Sequence, residues 1–171
     1  IIVARNCHIS VYNAIILNEL DANYVYPQYD DEYGYYKGIS LREIKDTVEK
    51  NESRGKDIKA VVITSPTYEG NVSDIKNIAA YLHEHNIPLI VDEAHGAHFK
   101  FSCEFPQTAV EQGADIVINS VHKTLPSLTQ TAVMHINYGY VNVSKVKRYW
   151  NIYQSTSPSY ILMGSIDRCM S

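Results

Sequence analysis

Two residues of this sequence carry chemistry that few other side chains can supply, Lys123 and Asp92. A lysine amine condenses with an aldehyde, and a carboxylate holds a pyridine nitrogen protonated so that the ring draws electrons. Both stand just beyond short apolar runs, Asp92 after Pro88–Val91 and Lys123 after Asp115–Asn119. Alone the pair is weak, because an Asp at a strand end often caps the following loop and a Lys is commonly a surface charge. Its neighbours strengthen it: His8 follows the first apolar run, His95 and His98 follow Asp92, and Ser120 and His122 precede Lys123.

The elements that must position these residues follow from periodicity. Short runs rich in Val and Ile alternate with helical patterns, the signature of a parallel sheet built from crossover units. Strands are expected at Ile1–Ala4, Tyr24–Tyr26, Ala60–Thr64, Pro88–Val91, Asp115–Asn119 and Thr131–Ile136. A helix is expected over His8–Leu20. Ser40 and Glu43 form a capping box for a second helix that runs to about Ser53 and buries Ile44 and Val48. Ser73 is expected to cap a third, with Ile75, Ile78, Ala79 and Leu82 on one face; helices near Ser144–Gln154 and Pro158–Cys169 complete the chain. Pro27–Gly38 reads as an acidic, tyrosine-rich loop. The predicted class is α/β, a mostly parallel sheet with helices on both faces. In such sheets ligands bind beyond the carboxyl ends of the strands, where His8, Ser65, Thr67, Asp92, His95 and Ser120–Lys123 gather.

These segments resemble a known family. Arg5–His8 (RNCH), Thr64–Gly70 (TSPTYEG), Val91–His98 (VDEAHGAH), Ser120–Thr124 (SVHKT) and Ser155–Tyr160 (STSPSY) are similar, in order and spacing, to the ornithine, lysine and arginine decarboxylases. The resemblance runs from Ile1 to Cys169 and implies a pyridoxal 5'-phosphate enzyme of the aspartate aminotransferase fold, acting on a basic amino acid. It implies that Lys123 carries the cofactor as a Schiff base and that Asp92 partners the pyridinium nitrogen. His8 would stack on one ring face and Ala94 pack the other; His95 would lie near the phenolic oxygen. Ser120 and His122 would touch the phosphate, and Thr156 would reach the phosphate of a neighbouring subunit, in at least a dimer. The family usually carries a lysine after the first histidine, and Ile9 stands there. By the same resemblance, residues 1–171 are one cofactor-binding large domain, with the phosphate-cradling loop before residue 1 and a smaller domain after residue 171. An aminotransferase or lyase on the same fold would share the Asp and Lys, and a catalytically inactive assembly domain would keep the fold alone.

Composition narrows the alternatives. With 15 Lys and Arg against 19 Asp and Glu, and no basic cluster, the chain lacks the footprint of a nucleic-acid binder. Its apolar runs are too short to span a bilayer and no basic-then-apolar leader opens it, so a cytoplasmic protein is expected. Cys7, Cys103 and Cys169 form no CxxC pair, and His8, His95, His98 and His122 would need more converging donors than the spacing offers; no metal is expected. His83 and His85 read as a solvated last helical turn, His135 as a packed strand residue, and Glu93 as a support for Asp92 or a solvent-facing acid. Asp30, Asp31 and Glu32 read as a solvated loop. The tyrosines at 24, 26, 33, 35 and 36 suit either a subunit interface or an ordinary surface.

Overall fold

The computed structural model describes residues 1–171. Strands β1 (Ile2–Ala4), β2 (Asn23–Val25), β3 (Tyr29–Asp30), β4 (Tyr35–Tyr36), β5 (Val61–Thr64), β6 (Leu89–Asp92), β7 (Ile116–Ser120) and β8 (Ala132–Ile136) alternate with six α-helices. These are α1 (Ile9–Leu17), α2 (Leu41–Glu52), α3 (Ile75–Glu84), α4 (Val121–Thr124), α5 (Val143–Tyr153) and α6 (Tyr160–Met170). Six strands form one sheet in the order β2-β1-β5-β6-β7-β8. Every neighbouring pair is parallel except β7 and β8, which run antiparallel. The expected strands are all present. The acidic loop differs in containing the small antiparallel hairpin β3–β4, where Asp30 accepts from the backbone amides of Glu32 and Tyr33 and pairs with Lys37.

Alternation along the strands gives the sheet two unlike faces. Val61, Ile63, Leu89, Val91 and Val117 are fully buried and form one core with Ile44 and Val48 of α2 and Ile75, Ile78 and Leu82 of α3. The intervening residues Val62, Thr64, Ile90, Asp92, Ile118 and Ser120 point the other way and are only half-buried. One face therefore holds the fold together, and the opposite face is left to build a site.

The caps show how local chemistry sets the helix starts. Ser40 and Glu43 make the expected box, with the Ser40 amide donating to the Glu43 carboxylate at 2.7 Å and the Glu43 amide donating to Ser40 Oγ at 3.3 Å. At α3 the cap is Asp74, not Ser73: Asp74 directly precedes the first helical residue and accepts from the Asn77 amide. Ser73 is buried instead, its amide donating to Ser65 Oγ at 3.0 Å.

Two expectations about polar side chains are corrected, for the helix-end histidines and for His135, and of the two readings of Glu93 the solvent-facing one is excluded. His83 is not a solvated terminus; it hydrogen-bonds the buried carboxylate of Asp115 at 2.9 Å and stacks on Tyr140 with ring centroids 3.7 Å apart. Asp115 also accepts from the Leu89 amide at 2.7 Å, so the acid at the start of β7 ties α3 to the start of β6. His85 likewise pairs with Glu52. His135 is exposed on the edge strand β8 rather than packed in the core. Glu93 is buried: its carboxylate accepts from the Ala109 amide at 2.7 Å and from Asn119 Nδ2 at 3.0 Å, and its carbonyl accepts from the same Nδ2. It anchors the turn after β6. Gly96 completes that turn, because a Cβ there would lie 2.7 Å from Glu93 Cγ and 2.9 Å from Pro66 Cδ.

By contrast α1, α5 and α6 bury no residue, and Ile16, Leu17, Trp150 and Ile161 stand exposed upon them. No helix is long and apolar enough to cross a membrane.

Removing the Asp115 carboxylate strands the buried Leu89 amide and the half-buried His83 imidazole, so Asp115→Ala is expected to cost about 2–4 kcal/mol, read as a lowered urea midpoint. Burial pushes the Glu93 carboxyl up, outweighing the two N–H donors that favour its charged form. A raised carboxyl contributes stability at acid pH that is lost as pH rises through its folded value. The stability gap between wild type and Glu93→Gln is therefore expected to narrow as pH increases from the acid range toward neutrality, in urea unfolding at a series of pH values.

Candidate active site

The half-buried face of β5, β6 and β7 opens into a cleft of about 430 Å³. Val62, Ile90 and Ile118 make its apolar floor, and His8, Asp92, Ala94, Ser120, His122 and Lys123 line it. A connected chamber of about 580 Å³ shares His8, Asp92, Ala94 and Lys123 and adds Asn6, Thr64, Tyr68, His95 and Thr124. Seven of the eight residues expected at the site thus converge. The eighth, Thr156, lies in the exposed stretch between α5 and α6 and lines neither space.

Each converging side chain is held by its own local structure. Asp92 ends β6 and turns one oxygen back to accept from the Ala94 amide at 3.1 Å, so the loop-capping role and the site role are compatible. His8 is the N-cap of α1, its Nδ1 accepting from the Ser10 amide at 3.2 Å. That acceptor role places the proton of a neutral His8 ring on Nε2. His122 is set the other way: Nδ1 donates to the Thr131 carbonyl at 2.9 Å and leaves Nε2 with its lone pair. Ser120 is the last residue of β7, and Lys123 follows within the single turn α4.

Lys123 Nζ lies 2.9 Å from His95 Nε2. In this contact Nε2 accepts from the lysine or, once a proton has crossed, donates to the free amine. Burial, and then the neighbouring positive Lys123, hold the His95 imidazole below its ordinary range, which keeps Nε2 unprotonated at neutral pH. Tyr68 packs edge-on to His95 with centroids 5.5 Å apart.

Two residues of this region were not singled out by sequence reasoning. Asn6 and Thr64 line the chamber beside Asp92, and each carries a buried side-chain oxygen without a hydrogen-bond partner. The signal that marks them is position: Thr64 ends β5 and Asn6 lies two residues past β1. Ser65 and Thr67, which also follow β5, are occupied within their own loop by the amides of Ser73 and Asn71.

The donor set suits an aromatic aldehyde with a basic ring nitrogen. It offers an amine, an acid, an imidazole, a small residue for close approach, and polar groups for an anionic arm. No three His, Cys, Asp or Glu side chains cluster as metal ligands would.

Comparison with known proteins agrees with this geometry. The family model "Orn/Lys/Arg decarboxylase, major domain" matches residues 1–171. The chain is 41% identical over 168 residues to the uncharacterized protein YaaO of Bacillus subtilis, covering 98% of this chain and 34% of that protein. It is 38% identical over 167 residues to an arginine decarboxylase of Bacillus cereus, covering 98% and 35% respectively. It thus spans about a third of the length of these relatives. Among solved structures, mouse CSAD in apo form superposes with a TM-score of 0.68 at 20% identity, over 94% of this chain and 33% of that one, a likeness of fold. With a family model matched along its entire length and a fold of the same kind, the chain belongs to the Orn/Lys/Arg decarboxylase family, in its major domain.

Proposed function

We propose that this chain is the cofactor-binding part of a pyridoxal 5'-phosphate-dependent decarboxylase of a basic amino acid, with arginine the first candidate substrate. The observation that carries the reading is the convergence of the Lys123 amine and the Asp92 carboxylate on one cleft, with His95 hydrogen-bonded to the lysine. Family membership supports the reaction class, and the arginine decarboxylase relative supports the order of substrates. Because the chain spans about a third of its relatives, the reading places residues 1–171 within a longer polypeptide.

When bound, pyridoxal 5'-phosphate supplies an electron sink for the charge left as carbon dioxide departs. The protein supplies position and electrostatics. Lys123 holds the cofactor covalently, and His95 Nε2 takes the proton that its amine must shed to become nucleophilic. Asp92 retains a proton on the ring nitrogen; the apolar floor of Val62, Ile90 and Ile118 weakens dielectric screening and strengthens that pairing. His8 and Ala94, which both line the cleft, would pack against the two faces of the ring. Ser120 and His122 hold the phosphate arm, and Thr156 contributes from a neighbouring subunit in a homodimer or higher assembly. The exposed apolar residues of α1, α5 and α6 support such an assembly. Fixing the reacting bond relative to the ring removes an orientational cost from the barrier.

Borohydride reduction followed by peptide mass analysis is expected to find the reduced cofactor on Lys123 alone, and Lys123→Ala is expected to abolish attachment. Carbon dioxide release is expected from arginine in preference to lysine and ornithine; transamination without gas would replace this reading by an aminotransferase. His95→Ala is expected to slow cofactor attachment at least about tenfold at neutral pH. The deficit is expected to shrink at alkaline pH, where hydroxide takes over the removal of the lysine proton, as followed by stopped-flow absorbance.

A further inference from the structure

The loop that leads from the Lys123 turn to β8 has no apolar anchor. Between Thr124 and Gln130 no residue is buried, and Leu125 and Ser127 are only half-buried. Gln130 nevertheless keeps a left-handed backbone, φ 75°, which a side chain of its size adopts only where its surroundings hold it there. The hold comes from hydroxyls. Ser165 Oγ, on α6, accepts from the Leu128 amide at 2.7 Å and lies 3.0 Å from Ser127 Oγ. Ser127 Oγ lies 2.9 Å from Oγ1 of the buried Thr131, and that Oγ1 lies 2.7 Å from the Leu128 carbonyl. Each hydroxyl has one proton, so Thr131 cannot donate to both neighbours. The carbonyl can only accept, and the Thr131 proton therefore goes to it; Ser127 then donates to Thr131, and Ser165 to Ser127. With the Leu128 amide donating to Ser165, the four bonds close into a ring in which every proton is used once and each bond polarises the next.

This ring abuts the site through one carbonyl. Thr131 O accepts from the Val121 amide at 3.0 Å and from His122 Nδ1 at 2.9 Å, so it fixes both the start of α4 and the His122 imidazole. Ser165 is also where α6 attaches. That helix buries no residue, and apart from its own caps its hydrogen bonds to the rest of the fold run through Ser165 Oγ. We propose that Ser165 is a positioning residue: through Ser127 and Thr131 it orients His122 beside Lys123, so that the docking of α6 is coupled to the hold on the cofactor's phosphate arm. The phosphate part rests on the cofactor reading above, whereas the link from α6 to His122 stands on the hydrogen bonds alone.

Ser165→Ala and Ser127→Ala each open the ring at a different member, and Ser165→Thr keeps the hydroxyl. Proton–nitrogen NMR correlation of the imidazoles in the intact protein, with the His122 signal assigned from its loss in His122→Gln, is expected to show wild-type His122 with its proton on Nδ1. Each alanine variant is expected to move that signal to a mixture of the two tautomers, and Ser165→Thr to leave it as in wild type. In absorbance titrations the alanine variants are expected to bind pyridoxal 5'-phosphate about tenfold more weakly. Pyridoxal, which lacks the phosphate, is expected to bind them with wild-type affinity. An unmoved His122 signal in both alanine variants would overturn the inference and leave the cofactor reading intact. A lowered melting temperature with equal weakening toward both ligands would assign the ring a structural role only, and would equally overturn it. Wild-type protein that binds neither ligand would overturn the cofactor reading, while the tautomer shift would still uphold the link from α6 to His122.

Discussion

Three parallel strands held in one register impose the arrangement of everything around the cleft. Thr64, Asp92 and Ile118 stand opposite one another in register across β5, β6 and β7, so their side chains emerge side by side on one face. A slip of one residue in β6 would turn Asp92 into the core and Val91 into the cleft. The hydrophobic alternation that buries Val61, Ile63, Leu89, Val91 and Val117 against α2 and α3 is thus also what aims the acid at the site. Packing and chemistry are two outcomes of the same register.

The loops beyond the strands are held as firmly as the strands. Glu93 clasps the Ala109 amide and Asn119 from within the core, Gly96 admits Pro66 at a distance no other residue would allow, and Ser65 accepts from the Ser73 amide. These contacts join the turn after β6 to the loop after β5 and to β7. Neighbours of Asp92 are therefore buried polar anchors, and Asp92 itself has one oxygen occupied by the Ala94 amide. The cleft side chains inherit their precision from this backbone frame, a requirement for catalysis by positioning.

Charge is arranged with similar economy. His8 and His122 present opposite tautomers because one accepts and the other donates at Nδ1. His95, lowered by burial and by the adjacent lysine, stands within hydrogen-bonding reach of Lys123. The three imidazoles are thus oriented by different partners, the Ser10 amide for His8, the Thr131 carbonyl for His122 and Lys123 for His95.

Much of this was legible in the sequence. Period-two runs of Val and Ile located the six sheet strands, the Ser40–Glu43 spacing located a helix start, and the order of short motifs pointed to the family and to Lys123 and Asp92. These are local properties, or properties of residue type and order, which a linear string records. What the string left open were the partners of individual polar groups. His83 looks like a surface histidine until β7 brings Asp115 beneath it, and Glu93 looks solvent-facing until Asn119 and Ala109 close over it. The contact between His95 and Lys123, and the unpartnered oxygens of Asn6 and Thr64, likewise join residues far apart in the chain. Only the crossover connections of a parallel sheet bring such residues together, because strands adjacent in space are here separated in sequence by whole helices and loops.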